Sequence, residues 1–105
     1  MEAVKAADAI AATPGVDVLF VGPNDLSLNM GEWPLNWAKA SASYKEAIAS
    51  IPKTAQKHGK HAGIQIHDAA FANDCVAMGY QVIGYSGDSG MLMKAAKAAR
   101  GEVRA

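Results

Sequence analysis

The chain has 105 residues, room for one small domain or for part of a larger one. Half of them are hydrophobic, which excludes a disordered chain, and no apolar run approaches the length of a membrane span. Ten basic and ten acidic residues cancel, so the charge points to no nucleic acid and no anionic lipid surface.

Met1-Glu2-Ala3-Val4-Lys5 opens an amphipathic pattern without a signal-peptide core. The helix predicted over Glu2 to Ala12 puts Val4, Ala7, Ile10 and Ala11 on one face and ends at Thr13-Pro14-Gly15. Val16 to Val21, interrupted only by Asp17, reads as a strand buried on both faces. It stops at Gly22-Pro23 and delivers Asp25 to its C-terminal end. Asn29 to Ser43, with Gly31, Pro34, Trp33 and Trp37, shows no clear period and reads as a long loop or short irregular helix. Tyr44, Ile48 and Ile51 mark a helix from Tyr44 to His58, and Pro52 inside it costs about 3 kcal/mol unless accommodated locally.

His61 to His67 is a short strand carrying Ile64 and Ile66. Asp68 reads as the N-cap of a helix to Met78, with Phe71, Cys75 and Met78 inward and Gly79 as its stop. Tyr80 to Tyr85 is the third strand, and Ser86-Gly87-Asp88-Ser89-Gly90 turns into a last helix from Met91 to Arg100. The order α-β-α-β-α-β-α is that of an α/β protein with a parallel sheet and crossover helices. Three strands leave two open edges, so the chain either assembles with copies of itself or belongs to something wider. A complete (β/α)8 barrel takes ~250 residues. Residues 1–105 are therefore expected to be an incomplete part of one barrel domain.

An acid at the C-terminal end of a buried parallel strand is a candidate metal ligand, and a turn aspartate capping the helical turn at Leu26 and Ser27 is the plainer alternative. His58, His61 and His67 cross a turn and a strand without sharing a face, which argues against a zinc set. His58 suits a helix C-terminus, whereas His67, at a strand end, is a candidate for a peripheral pocket role. Cys75 reads as core, and a lone cysteine allows no internal disulfide and suits a reducing cytoplasm. Gly87-Asp88-Ser89-Gly90 has the letters of a trypsin-type nucleophile segment, but a helix follows it, so it reads as a helix N-cap with phosphate binding as a weaker idea.

Ile10 to Ser27, with its Pro14-Gly15-Val16-Asp17 and Gly22-Pro23-Asn24-Asp25-Leu26-Ser27 blocks, resembles the HpcH/HpaI aldolase/citrate lyase family. The likeness continues through Ala47-Ile48 and His58 to Ile64, and more weakly through Met78 to Ile83 and Gly87-Asp88. It implies a partial (β/α)8 TIM barrel matching the last three strands and their helices. It also implies a metal-dependent aldolase that cleaves 4-hydroxy-2-oxo acids to pyruvate and an aldehyde. By resemblance, Asp25 ligates a divalent metal (Mg²⁺ foremost, with Mn²⁺ or Co²⁺ as alternatives). Gly22, Pro23, Asn24 and Asp25 face pyruvate, and Gln65 lies on the aldehyde side. Glycine permits close approach, proline stiffens the turn, and the amides of Asn24 and Asp25 are donors for a carboxylate.

The chain departs from that family's pattern in several places. The second metal ligand, a glutamate in a Gln-Ile-Glu-Thr-like motif, would fall just before Met1, with Met1-Glu2-Ala3-Val4 fitting directly after it. The catalytic histidine and the pyruvate-binding arginine also belong to earlier strands, so the chain carries no catalytic residue of its own. Ser41-Ala42-Ser43-Tyr44 replaces the usual His-Pro-Glu-Val, and the loop with Trp33 and Trp37 is atypical. The family's terminal helix packs on a neighbouring subunit, which makes the apolar face of Met91 to Ala99 an expected homo-oligomer contact. The isolated chain is expected to be inactive. The competing readings are a truncated, non-catalytic fragment and a small self-assembling ligand-binding module.

Overall fold

The computed structural model describes residues 1–104. Three parallel strands, β1 (Val18–Val21), β2 (His61–Ile66) and β3 (Val82–Tyr85), lie side by side in chain order. Val21 pairs with Ile64 in one ladder, and Gln65 pairs with Gly84 in the other. Six helices accompany them: α1 (Glu2–Lys5), α2 (Ala7–Ala12), α3 (Pro23–Asn29), α4 (Ala42–Lys57), α5 (Ala69–Met78) and α6 (Asp88–Glu102). A 3-10 turn spans Trp37–Lys39.

Several elements differ from the sequence expectation, each for a local reason. The first helix breaks at Ala6, whose φ of −89° and ψ of 2° leave the helical range, so α1 and α2 are separate. Ile10 comes out 40% exposed rather than inward. α3 was not expected as an element; it begins one residue after the strand. α4 starts at Ala42 because the Ser41 hydroxyl caps the Tyr44 amide at 3.1 Å. α6 starts at Asp88 rather than Met91, and β1 and β3 are each two residues shorter at their N-terminal ends. α5 is as expected: the Asp68 carboxylate accepts from the Phe71 amide at 2.7 Å, and Gly79, at φ 103°, closes the helix in the left-handed region.

The core lies on one face of the sheet. Leu19, Ala62, Ile64 and Ile66 point to that face and meet Ala11, Tyr44, Ile48, Ile51, Phe71 and Cys75 from the helices. Removing Ile48 and Ile64 wholly from water contributes about 1.5–3 kcal/mol each. Alternation along the strands sends Val18, Phe20, Gly63, Gln65 and Val82 to the opposite face. No described helix covers that face, and Phe20 is 56% exposed. The expectation of a strand buried on both faces is therefore corrected: one face is packed and the other is bare. α6 likewise buries none of its residues.

Candidate active site

The site residues stand where β1 and β2 end. Gly22 is the N-cap of α3, with an extended backbone, and Pro23 takes the first helical position, where a missing N–H costs nothing. Asn24 and Asp25 fall in the first turn, whose amides have no acceptor within the helix and receive no side-chain cap. Two buried hydroxyls fix this turn from beneath. Tyr44 Oη donates to the Pro23 carbonyl at 2.7 Å, and Ser27 Oγ donates to the Asn24 carbonyl at 2.8 Å.

Asp25 folds back over Gly22. A Cβ at position 22 would lie 2.9 Å from Asp25 Oδ2, so the carboxylate occupies space that only glycine leaves open. The carboxylate is exposed and accepts no hydrogen bond among the described residues. Its donor chemistry fits a hard divalent cation, which prefers carboxylate, carbonyl and water oxygens. Among the described residues no group of three His, Cys, Asp or Glu side chains converges, so Asp25 by itself makes no complete metal site.

Gln65 is the next-to-last residue of β2, and its Nε2 donates to the Ser86 carbonyl at 2.7 Å. Gly84 makes this possible, since a Cβ there would fall on Gln65 Oε1. Ser86 itself sits in the left-handed region at φ 61°, held by donation of its N–H to the Ile66 carbonyl at 2.7 Å.

The five expected residues divide between two neighbouring hollows. Gly22 and Asp25 line a 380 Å³ cleft between α1, α3 and the open edge of β1. Pro23, Asn24 and Gln65 line a 400 Å³ cavity with Asn36, Trp37 and His67. Asn36 and Trp37 were missed from sequence, and the only signal was two tryptophans in an aperiodic loop. Trp37 stacks on Phe71 at 4.0 Å between centroids and donates from Nε1 to Asp74 Oδ2 at 2.7 Å. The other histidines are occupied elsewhere: His58 Nε2 contacts Asp8 at 3.0 Å and His61 Nδ1 contacts Gln81 at 2.5 Å. Cys75 is fully buried, and that burial, aided by Asp74, pushes its thiol up to about 12.

An exposed carboxylate and uncapped helix amides lie together at the C-terminal end of a parallel strand, where α/β proteins carry their sites. The sequence profile of the HpcH/HpaI aldolase/citrate lyase family matches residues 1–96, and the chain belongs to that family. It is 41% identical over 95 residues to a hydroxypyruvate/pyruvate aldolase of Paraburkholderia phytofirmans, covering 90% of this chain and 35% of the relative. It is 36% identical over 97 residues to a 5-keto-4-deoxy-D-glucarate aldolase of Shigella dysenteriae, covering 90% and 36% respectively. A solved HpcH/HpaI family protein from Burkholderia cenocepacia superposes with a TM-score of 0.84 at 36% identity, over 97% of this chain and 38% of the other. The chain thus spans little more than a third of the length of these relatives, and its three strands are a segment of their TIM-barrel-type fold.

Proposed function

We propose that this chain is the C-terminal portion of a divalent-metal-dependent aldolase that cleaves 4-hydroxy-2-oxo acids to pyruvate and an aldehyde. The observation that carries the reading is the carboxylate of Asp25, folded over Gly22 beside the uncapped amides of α3. The cation, Mg²⁺ foremost, would be held in part by Asp25 and would supply Lewis-acid stabilisation of negative charge developing on the substrate. The amides of Asn24 and Asp25 donate to the pyruvate carboxylate, while Pro23, anchored by Tyr44, keeps the turn from yielding. On the aldehyde side, Gln65 is oriented by its bond to Ser86 and presents Oε1 above Gly84.

The same reading places the protein in the cytoplasm and gives α6 a second subunit to cover Met91 and Leu92, both more than half exposed. The bare sheet face with Phe20 and Val82 favours a second reading, a module that assembles through that face. Mn²⁺ titration of the ¹⁵N-labelled chain separates them. Under the aldolase reading, paramagnetic broadening centres on Gly22 to Leu26 and disappears in Asp25→Asn. Broadening that is spread elsewhere, or that persists in the variant, rejects Asp25 as the ligand.

A further inference from the structure

We infer that the 400 Å³ cavity beside the Gly22–Asp25 turn selects the aldehyde, and that it takes a neutral, hydroxylated one in preference to an aldehyde carrying a carboxylate. This rests on the aldolase reading and extends it to residues 36, 37 and 67, which that reading does not use.

The cavity is lined by Pro23, Asn24 and Gln65 together with Asn36, Trp37 and His67. Its outer wall is held in place rather than loose. The Ser41 N–H and Oγ both donate to the Glu32 carboxylate, closing the base of the loop, and these bonds hold the Glu32 carboxyl below its ordinary value. At the tip, Trp37 is fixed by Phe71, by Asp74 and by the Lys45 ammonium, 5.3 Å from the ring centroid. A wall tied at both ends discriminates, because a ligand cannot reshape it at little cost.

The polar groups of the lining are carboxamides and an imidazole, which donate to and accept from hydroxyls. The charged group of the lining is Asp68, an anion, and its carboxylate already takes the Phe71 amide at the start of α5. That helix end therefore offers an anionic ligand less than an uncapped one, and Asp68 repels it. Leu35, Trp37 and Phe71 provide the apolar surface against which a short carbon chain lies.

Glycolaldehyde and glyoxylate form a matched pair, alike in size and different by a hydroxymethyl against a carboxylate. Each is titrated into the metal-free ¹⁵N-labelled chain while the side-chain amides of Asn36 and Gln65 and the Trp37 indole N–H are followed. Glycolaldehyde should shift these signals saturably, with an affinity about fivefold or more above that of glyoxylate. Asn36→Arg, an exposed position where folding is readily checked by thermal midpoint, should reverse the order. Equal or tighter glyoxylate binding by the unsubstituted chain overturns the inference. So does the absence of shifts at these groups, or an Asn36→Arg protein that folds and keeps the original order. Because no metal is present, failure of Asp25 as a ligand leaves this result standing, and the reverse also holds.

Discussion

The hydroxyl of Tyr80 donates to the backbone carbonyl of Ile48 at 2.9 Å. Ile48 stands four residues before Pro52, so its carbonyl is the one that the proline leaves without a helical donor. A buried side chain two residues before β3 thus completes the hydrogen-bond ladder of α4. Tyr80→Phe should destabilise the fold by about 1–3 kcal/mol, because it leaves a buried carbonyl unpaired. In a Pro52→Ala background residue 52 supplies its own N–H, and the cost of Tyr80→Phe should fall by about 1 kcal/mol. Urea unfolding of the four proteins measures this coupling, and strict additivity would refute it.

Gly22→Ala should leave the fold intact and disable the carboxylate. The new methyl would stand 2.9 Å from Asp25 Oδ2, so the side chain must swing off the end of β1. Mn²⁺ affinity should drop about tenfold, in the range seen when a group that orients a metal ligand is lost. Relaxation titration reads the affinity, and circular dichroism confirms that the helices persist.

Lyase activity should require more than these residues. The 105-residue chain is expected to release negligible pyruvate from 4-hydroxy-2-oxo acids with Mg²⁺ or Mn²⁺. Exchanged for the matching third of the Paraburkholderia relative, it should support metal-dependent cleavage that Asp25→Asn abolishes. A coupled lactate dehydrogenase assay follows both, and turnover by the isolated chain well above blank would contradict the first expectation.

The pH dependence of stability has an acid limb and an alkaline limb with different owners. Asp8 accepts from Lys57 Nζ at 2.7 Å and from His58 Nε2 at 3.0 Å, and these bonds hold its carboxyl below the ordinary value of 3.8. Its stabilising contribution is present above 3.8 and is lost as pH falls through the lower folded value. Asp8→Asn should flatten that acid limb. Burial, reinforced by Glu32, raises the Tyr44 hydroxyl from 10.0 to about 12. The contribution of Tyr44 is complete below 10.0 and is lost as pH climbs through about 12. Cys75 adds to the same limb from 9.0 upward, and in the native state it should react with a thiol reagent only as fast as the protein opens. Thermal midpoints across pH, with Asp8→Asn and Cys75→Ala as controls, test each limb.

Much of the layout was legible because the signals were local. Asp68 and Gly79 bracket α5 by side-chain and backbone chemistry that acts within four residues, and both ends fell where the sequence put them. Tyr44, Ile48 and Ile51 announced the buried face of α4 by spacing alone, and all are buried. α3 was not legible. Its seven residues start with proline after the single glycine that follows a strand, a pattern shared with a simple turn, and Tyr44 and Ser27 are what hold it in helical form.

The site divides along the same line. By itself the chain determined that Asp25 would stand at a strand's C-terminal end behind a glycine and a proline, because an apolar run, a breaker and an acid are properties of neighbouring residues. It also carried its family in those letters. Only the tertiary structure decided that Asp25 bends back over Gly22, that Gln65 rests on Gly84, and that Asn36 and Trp37 come to line one cavity with Gln65. Those relationships join β1, β2, β3 and a distant loop. They depend on parallel register and on which face the helices cover, and neither is set by any one stretch of sequence.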